Sequence, residues 1–100
     1  MENYQVIDHC LMVKLPREID HYQATYVCRE ADNYLLNPDV CHVVFDFEDT
    51  EFMDSSGIGI LMGRYKKITP LGGKIYAINA GKQIRRILDL SGMSRLVEVL

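Results

Sequence analysis

Val40-Cys41-His42-Val43-Val44-Phe45-Asp46-Phe47 runs into Glu48-Asp49-Thr50-Glu51-Phe52-Met53, and then into Asp54-Ser55-Ser56-Gly57-Ile58-Gly59-Ile60-Leu61-Met62-Gly63-Arg64-Tyr65-Lys66-Lys67-Ile68-Thr69. The first segment is a short apolar run rich in β-branched and aromatic residues, the pattern of a buried strand. The second is an acidic loop. The third opens on Asp-Ser-Ser, a set of helix N-cap residues, and continues with helical spacing towards Pro70. A buried strand followed by a loop and a helix is half of a βαβ unit, which sets the expectation of a parallel sheet.

The flanking sequence extends the same alternation. Tyr4–Ile7 and Cys10–Leu15 are β-compatible runs separated by Asp8-His9, a hairpin pattern, and Pro16 ends the second run. Asp20 is placed as an N-cap with Gln23 three residues on, a variant capping box. Ala24, Val27, Cys28, Ala31, Tyr34 and Leu35 then recur at helical spacing until Asn37-Pro38. Leu71-Gly72-Gly73 reads as a turn, Lys74–Asn79 as a strand and Gly81–Leu90 as a helix. Gly92 stands where a helix stop favours positive φ, and Leu96–Leu100 reads as a last strand. The expected architecture is a single α/β domain over residues 1–100, in the order ββαβαβαβ. Its sheet is mostly parallel with an N-terminal antiparallel edge hairpin, and helices pack against it.

Composition agrees with one small globular domain. The 100 residues are 48% hydrophobic and 25% charged, and a chain of this length buries about 60–70% of its unfolded surface. No apolar run approaches the ~18 residues of a membrane span. The N-terminus has neither a basic nor an apolar signal region. Three cysteines without a CxxC pair are read as reduced thiols in a cytoplasm. The net charge of −3 speaks against nucleic-acid binding. That charge is unevenly spread: residues 1–54 hold 12 acids against 3 bases, and residues 55–100 hold 2 acids against 8 bases. Either the asymmetry steers a partner, or the acidic loop and a basic helix screen one another.

On a helical wheel Ile58, Leu61, Met62, Tyr65 and Ile68 form the face expected to meet the sheet. The opposite stripe is Ser56, Gly59, Ile60, Gly63 and Lys67. Interior glycines each cost a helix about 1 kcal/mol relative to Ala, and they allow another backbone to approach closely. With an aliphatic side chain between them, they read as a protein-docking face. The competing reading packs the glycines against a neighbouring loop and counts Ile60 among ordinary scattered apolar residues. Ser55 and Ser56 lie in the first turn, as N-caps alongside Asp54 or as a phosphoacceptor. A phosphate at this position meets free amides and a favourable dipole.

The segment Phe52–Lys66 closely resembles the signature of STAS domains, and among them the anti-sigma factor antagonists. The ending Gly63-Arg64-Tyr65-Lys66 is most similar to the sporulation members. Glu18-Ile19-Asp20-His21, Val43-Val44-Phe45-Asp46-Phe47 and Ile87-Leu88-Asp89-Leu90-Ser91-Gly92-Met93 agree in the right order. The resemblance implies a non-enzymatic partner switch without a cofactor. The unphosphorylated antagonist binds an anti-sigma factor that is also a GHKL-type serine kinase, and thereby releases a sigma factor, sigma-F in the sporulation branch. The kinase phosphorylates the second serine, here Ser56, in surroundings formed by Asp20, Asp54, Ser55 and Gly57, and a PP2C-type phosphatase reverses the step. The implied partner-binding residues are Ser56, Gly59, Ile60, Gly63 and Lys67. A general stress-response circuit is the second circuit compatible with the resemblance.

Two departures stand out. Pro16-Arg17 replaces the family's usual glycine before Glu18. The sequence also stops at Leu100, where the family continues into a C-terminal helix, so the expectation is a domain lacking that helix or a cut one, with exposed surface that favours self-association.

Other chemistries are excluded by spacing. Gly57-x-Gly59-x-x-x-Gly63 misses the dinucleotide fingerprint by one residue. His9, His21, His42 and the cysteines have no metal-ligand spacing. No GxSxG elbow accompanies Ser56, so a serine hydrolase is not supported. Arg64, Lys66 and Lys67 read as a solvated helix end that complements its dipole.

Overall fold

The computed structural model describes residues 3–100. Strand β1 (Tyr4–Ile7) pairs antiparallel with β2 (Cys10–Lys14). Asp8 and His9 between them both take positive φ, 50° and 69°, as a two-residue hairpin whose twist matches its strands demands. Two short strands were not anticipated: β3 (Glu18–Ile19) before α1 (His21–Leu35), and β5 (Phe52–Met53) between β4 (His42–Asp46) and α2 (Ser55–Ile68). Two residues carry no readable periodicity. The chain continues with β6 (Ile75–Ile78), α3 (Lys82–Leu90) and β7 (Glu98–Val99); 3₁₀ turns at Thr69–Leu71 and Met93–Arg95 complete it.

The main sheet has the order β1-β2-β4-β6-β7, parallel except for the first pair. Each crossover steps in the same direction, so right-handed connections place α1, α2 and α3 on one face. Burial follows. Leu11, Val13, Val43, Phe45, Ile75 and Ala77 alternate towards the helices and are fully covered. Their neighbours Met12, Val44 and Tyr76 point the other way and keep partial exposure. From above, Val27, Ala31, Leu61, Ile84 and Leu88 close the core.

Two turn positions demand glycine. A Cβ on Gly73 would lie 2.1 Å from the Cys41 carbonyl oxygen, and Gly92 has φ 81°. At the sheet edge Tyr4 stacks on Tyr34 of α1 with ring centroids 5.8 Å apart. Burial chiefly pushes the Tyr4 hydroxyl up to about 12.

Candidate functional site

The two unanticipated strands build the site. They pair in parallel with Ile19 beside Met53, so the residues that follow them, Asp20 and Asp54, emerge side by side. The Asp54 amide donates to the Ile19 carbonyl at 3.1 Å. Ile19 and Met53 point inward and are buried, which anchors both strands on the core. Pro16-Arg17 is part of the same seam. The Arg17 carbonyl accepts from Glu51 and Phe52, at 2.8 and 3.2 Å. The Thr50 hydroxyl donates to the Pro16 carbonyl at 2.9 Å.

Each aspartate starts a helix. Asp20 and Asp54 both have extended backbone. Asp20 Oδ1 accepts from the Gln23 amide at 2.8 Å, and Asp54 Oδ1 from the Ser56 amide at 2.7 Å. These caps satisfy amides that no helical carbonyl reaches. Two helix N-termini and two carboxylates therefore share one exposed ridge. Ser55 is exposed on it and Ser56 half-buried. Neither hydroxyl takes part in a side-chain hydrogen bond among the described residues. Gly57 is buried, and a Cβ there would come within 2.6 Å of the Met53 sulfur. Gly57 thus lets the first turn of the helix lie close against Met53 of β5.

The helix carrying these serines is rotated from the expected orientation. Gly57, Ile60, Leu61, Arg64 and Ile68 are its buried residues, while Ile58, Met62 and Tyr65 flank them with partial exposure. Ile60, expected on the docking stripe, is 1% exposed and belongs to the core. The reason is that α2 packs against α1 as well as the sheet, which draws the buried arc towards α1. Of the remaining stripe, Gly59 and Lys67 are exposed and Gly63 half-buried. A Cβ on Gly59 or Gly63 would meet nothing within 4 Å. Among the described residues no neighbouring loop fills the space a side chain would take at either glycine.

Arg64 corrects a second expectation. It is not part of a solvated helix end but 6% exposed, facing Asp32 of α1 with Nε 3.1 Å from Oδ1. Neither of those atoms, nor Arg64 Nη1, has a hydrogen bond of good geometry, so the contact is coulombic. Lys67 Nζ lies 3.0 Å from the other carboxylate oxygen of Asp32. Asp32 escaped the sequence reading because a lone acid on a helix carries no sign of its partner. Among the described residues the close ion pairs of the acidic loop are made with Lys14 and Arg17 rather than with α2. Lys14 bridges Glu48 at 3.1 Å and Asp49 at 3.7 Å, and Arg17 pairs with Glu51. The hydrogen bond to Glu48 is the main cause that raises the Lys14 pKa.

Among the described residues no group of three or more His, Cys, Asp or Glu could hold a metal ion, and no helix is long and apolar enough to cross a membrane. What the site offers is a surface hydroxyl at a helix start, beside two carboxylates and a glycine-lined ridge.

Comparison with known proteins places this geometry in context. The STAS-domain family model matches residues 3–100. The anti-sigma F factor antagonist of Paenibacillus polymyxa is 33% identical over 89 residues, 89% of this chain and 76% of that protein. The solved structure of the anti-sigma factor antagonist SpoIIAA in its unphosphorylated form superposes with a TM-score of 0.84 at 23% identity, over 97% of this chain and 87% of the other. The phosphorylated form of the Bacillus cell fate determinant SpoIIAA gives a TM-score of 0.76 at 23% identity, over 97% and 90%. The named relatives are regulatory binding proteins rather than enzymes.

Proposed function

The chain belongs to the STAS-domain family, and we propose that it is an anti-sigma factor antagonist acting in the cytoplasm, switched by phosphorylation of Ser56. The observation that carries this reading is the β3–β5 ladder, which sets Asp20 beside the Asp54-Ser55-Ser56-Gly57 helix start. The 33% identity to an anti-sigma F factor antagonist favours sigma-F over a general stress sigma factor.

The unphosphorylated ridge docks on an anti-sigma factor of the GHKL kinase type through Ser56, Gly59, Gly63 and Lys67. The bare glycines let the partner backbone come close. Docking releases the sigma factor. The kinase then transfers the γ-phosphoryl group of ATP to the Ser56 oxygen. The P–O bond to ADP breaks, and the hydroxyl proton leaves to solvent or to a kinase base. A PP2C-type phosphatase returns the phosphate to water. The new phosphate adds about −1.5 to −2 charges. Helix amides and dipole favour it and the carboxylates of Asp20 and Asp54 oppose it. These exposed terms are each about 1 kcal/mol or less. The fold therefore survives. Binding is lost at the interface, where a dianion would be desolvated without a matching cation.

Incubation with the cognate kinase and ATP, followed by mass spectrometry, tests the reading. One phosphate on Ser56 is expected. Ser56→Ala should take up none while still binding the ADP-loaded kinase nearly as well as the parent. A phosphate found on Ser55 would overturn the assignment.

A further inference from the structure

We propose that β1 is a self-association edge, pairing antiparallel with β1 of a second copy about a two-fold axis through Gln5. Among the described residues only β2 flanks β1 in the sheet. The Lys14 amide donates to the Asn3 carbonyl at 2.8 Å, and residues 4–7 pair with 13–10 in register. In an antiparallel ladder bonded and non-bonded pairs alternate. The pairs bonded to β2 are therefore Asn3–Lys14, Gln5–Met12 and Ile7–Cys10. The N–H and C=O groups of Tyr4 and Val6 point away from β2. None of the turn, loop or cap hydrogen bonds among the described residues reaches them.

Such an edge is ordinarily blunted by a lysine, a proline, a bulge or a covering segment. Tyr4-Gln5-Val6-Ile7 has none of the first three. Its flanks are also unusually apolar for a free edge, with Val6 44% and Ile7 50% exposed.

A second copy fits this edge for two reasons. The strand has no charged side chain from Asn3 to Ile7, so no like charges face each other within that paired segment. The free groups are also self-complementary. Setting Gln5 against Gln5 brings Tyr4 opposite Val6 twice, and the two pairs close four backbone hydrogen bonds. An isologous contact of this kind stops at a dimer. Space exists on the helix side. Tyr4 points towards α1, and beside it lies an open groove of about 500 Å³ lined in part by Tyr26, Glu30 and Tyr34. The second copy's Val6, opposite Tyr4, enters that groove. The other sheet edge is a poorer candidate, because β7 has two residues and its Glu98 pairs with Lys74.

Sedimentation equilibrium over micromolar to millimolar concentration is the primary test. A reversible dimer of twice the 11.5 kDa chain mass is expected. Gln5→Lys sets like charges face to face at the axis and should weaken dimerisation at least tenfold, with an unchanged circular dichroism spectrum. A second variant reads the register directly. Gln5→Cys places two thiols across a non-bonded pair, about 4.5 Å apart at Cα, within reach of a disulfide. Glutathione disulfide should oxidise them to a linked dimer that peptide mapping locates at position 5. Val6→Cys, whose opposite residue is Tyr4, should not link. A strict monomer at millimolar concentration would overturn the proposal. So would a dimer indifferent to Gln5→Lys, or one in which Val6→Cys links and Gln5→Cys does not. Protection of β1 amides from exchange only in the presence of a different protein would give the edge to a foreign strand instead.

Discussion

On its inward side α2 presents Gly57, Ile60, Leu61, Arg64 and Ile68, all buried; on its outward side it presents Ser55, Gly59 and Lys66, all exposed. Both sides contain features that a helix does not favour, but for different reasons. The inward glycine is required by the fold, since a Cβ would strike Met53. The inward charge is tolerated because Asp32 stands against it. A Cβ on Gly59 or, at the margin, Gly63 would meet nothing within 4 Å among the described residues. Their helix penalty of about 1 kcal/mol each has no internal compensation. A cost without an internal reason points to an external one, and a partner's backbone is the reason proposed above.

The largest test of this contrast removes the half-buried counter-charge of a buried guanidinium. Asp32→Ala leaves Arg64 enclosed without a partner, and breaking buried pairs in this way costs about 3 kcal/mol or more. Urea denaturation should show that loss. Arg64→Leu added to Asp32→Ala should recover part of it. A loss below about 0.5 kcal/mol for the single variant would mean that water already solvates the guanidinium.

Next in size is Gly57→Val, which forces the β5 side chain of Met53 to move. Overpacking of this kind costs about 1–3 kcal/mol, measurable in the same titration. The same variant should disturb phosphorylation of the adjacent Ser56.

The outward side should respond with the opposite sign. Gly59→Ala and Gly63→Ala should each stabilise the free domain by up to about 1 kcal/mol. That corresponds to a rise in Tm of about 4–8 °C for a domain of this length. Calorimetry with the anti-sigma factor should show weaker binding for the same variants. Tighter binding would remove the case for the glycine ridge as a docking face.

The smallest effect separates the two partners of one carboxylate. Lys67 pairs with the same Asp32, but its side chain is 52% exposed. Lys67→Ala should therefore change stability by only about 0.5 kcal/mol or less, against the far larger effect on the Arg64 side. Equal effects would show that burial does not distinguish them.

Much of this was legible along the chain. The hairpin at Asp8-His9, the caps at Asp20 and Asp54, the turn at Gly72-Gly73 and the stop at Gly92 each depend on neighbours a few residues away. The alternation of strands and helices also implied a mostly parallel sheet with an antiparallel edge hairpin. The serine pair at the start of α2 was visible for the same local reason. The placement of Ile60 failed because a helical wheel ranks side chains by polarity alone. Arg64 pulled the estimated centre of the buried face away from α1, although Arg64 is itself inside.

The sequence by itself determined the three helices and the strands of the main sheet, because helix periodicity, capping and turn chemistry act within one or two turns of backbone. Only the tertiary structure decided three things. It decided that the short strands β3 and β5 pair and bring Asp20 to Asp54. It decided that α2 turns its Arg64 edge towards α1. It also left the Tyr4 and Val6 edge unpaired among the described residues. Each is a meeting of segments distant in sequence. Its free energy comes from burying Ile19 and Met53 together, or from setting a carboxylate against an enclosed guanidinium, and no local pattern encodes that pairing.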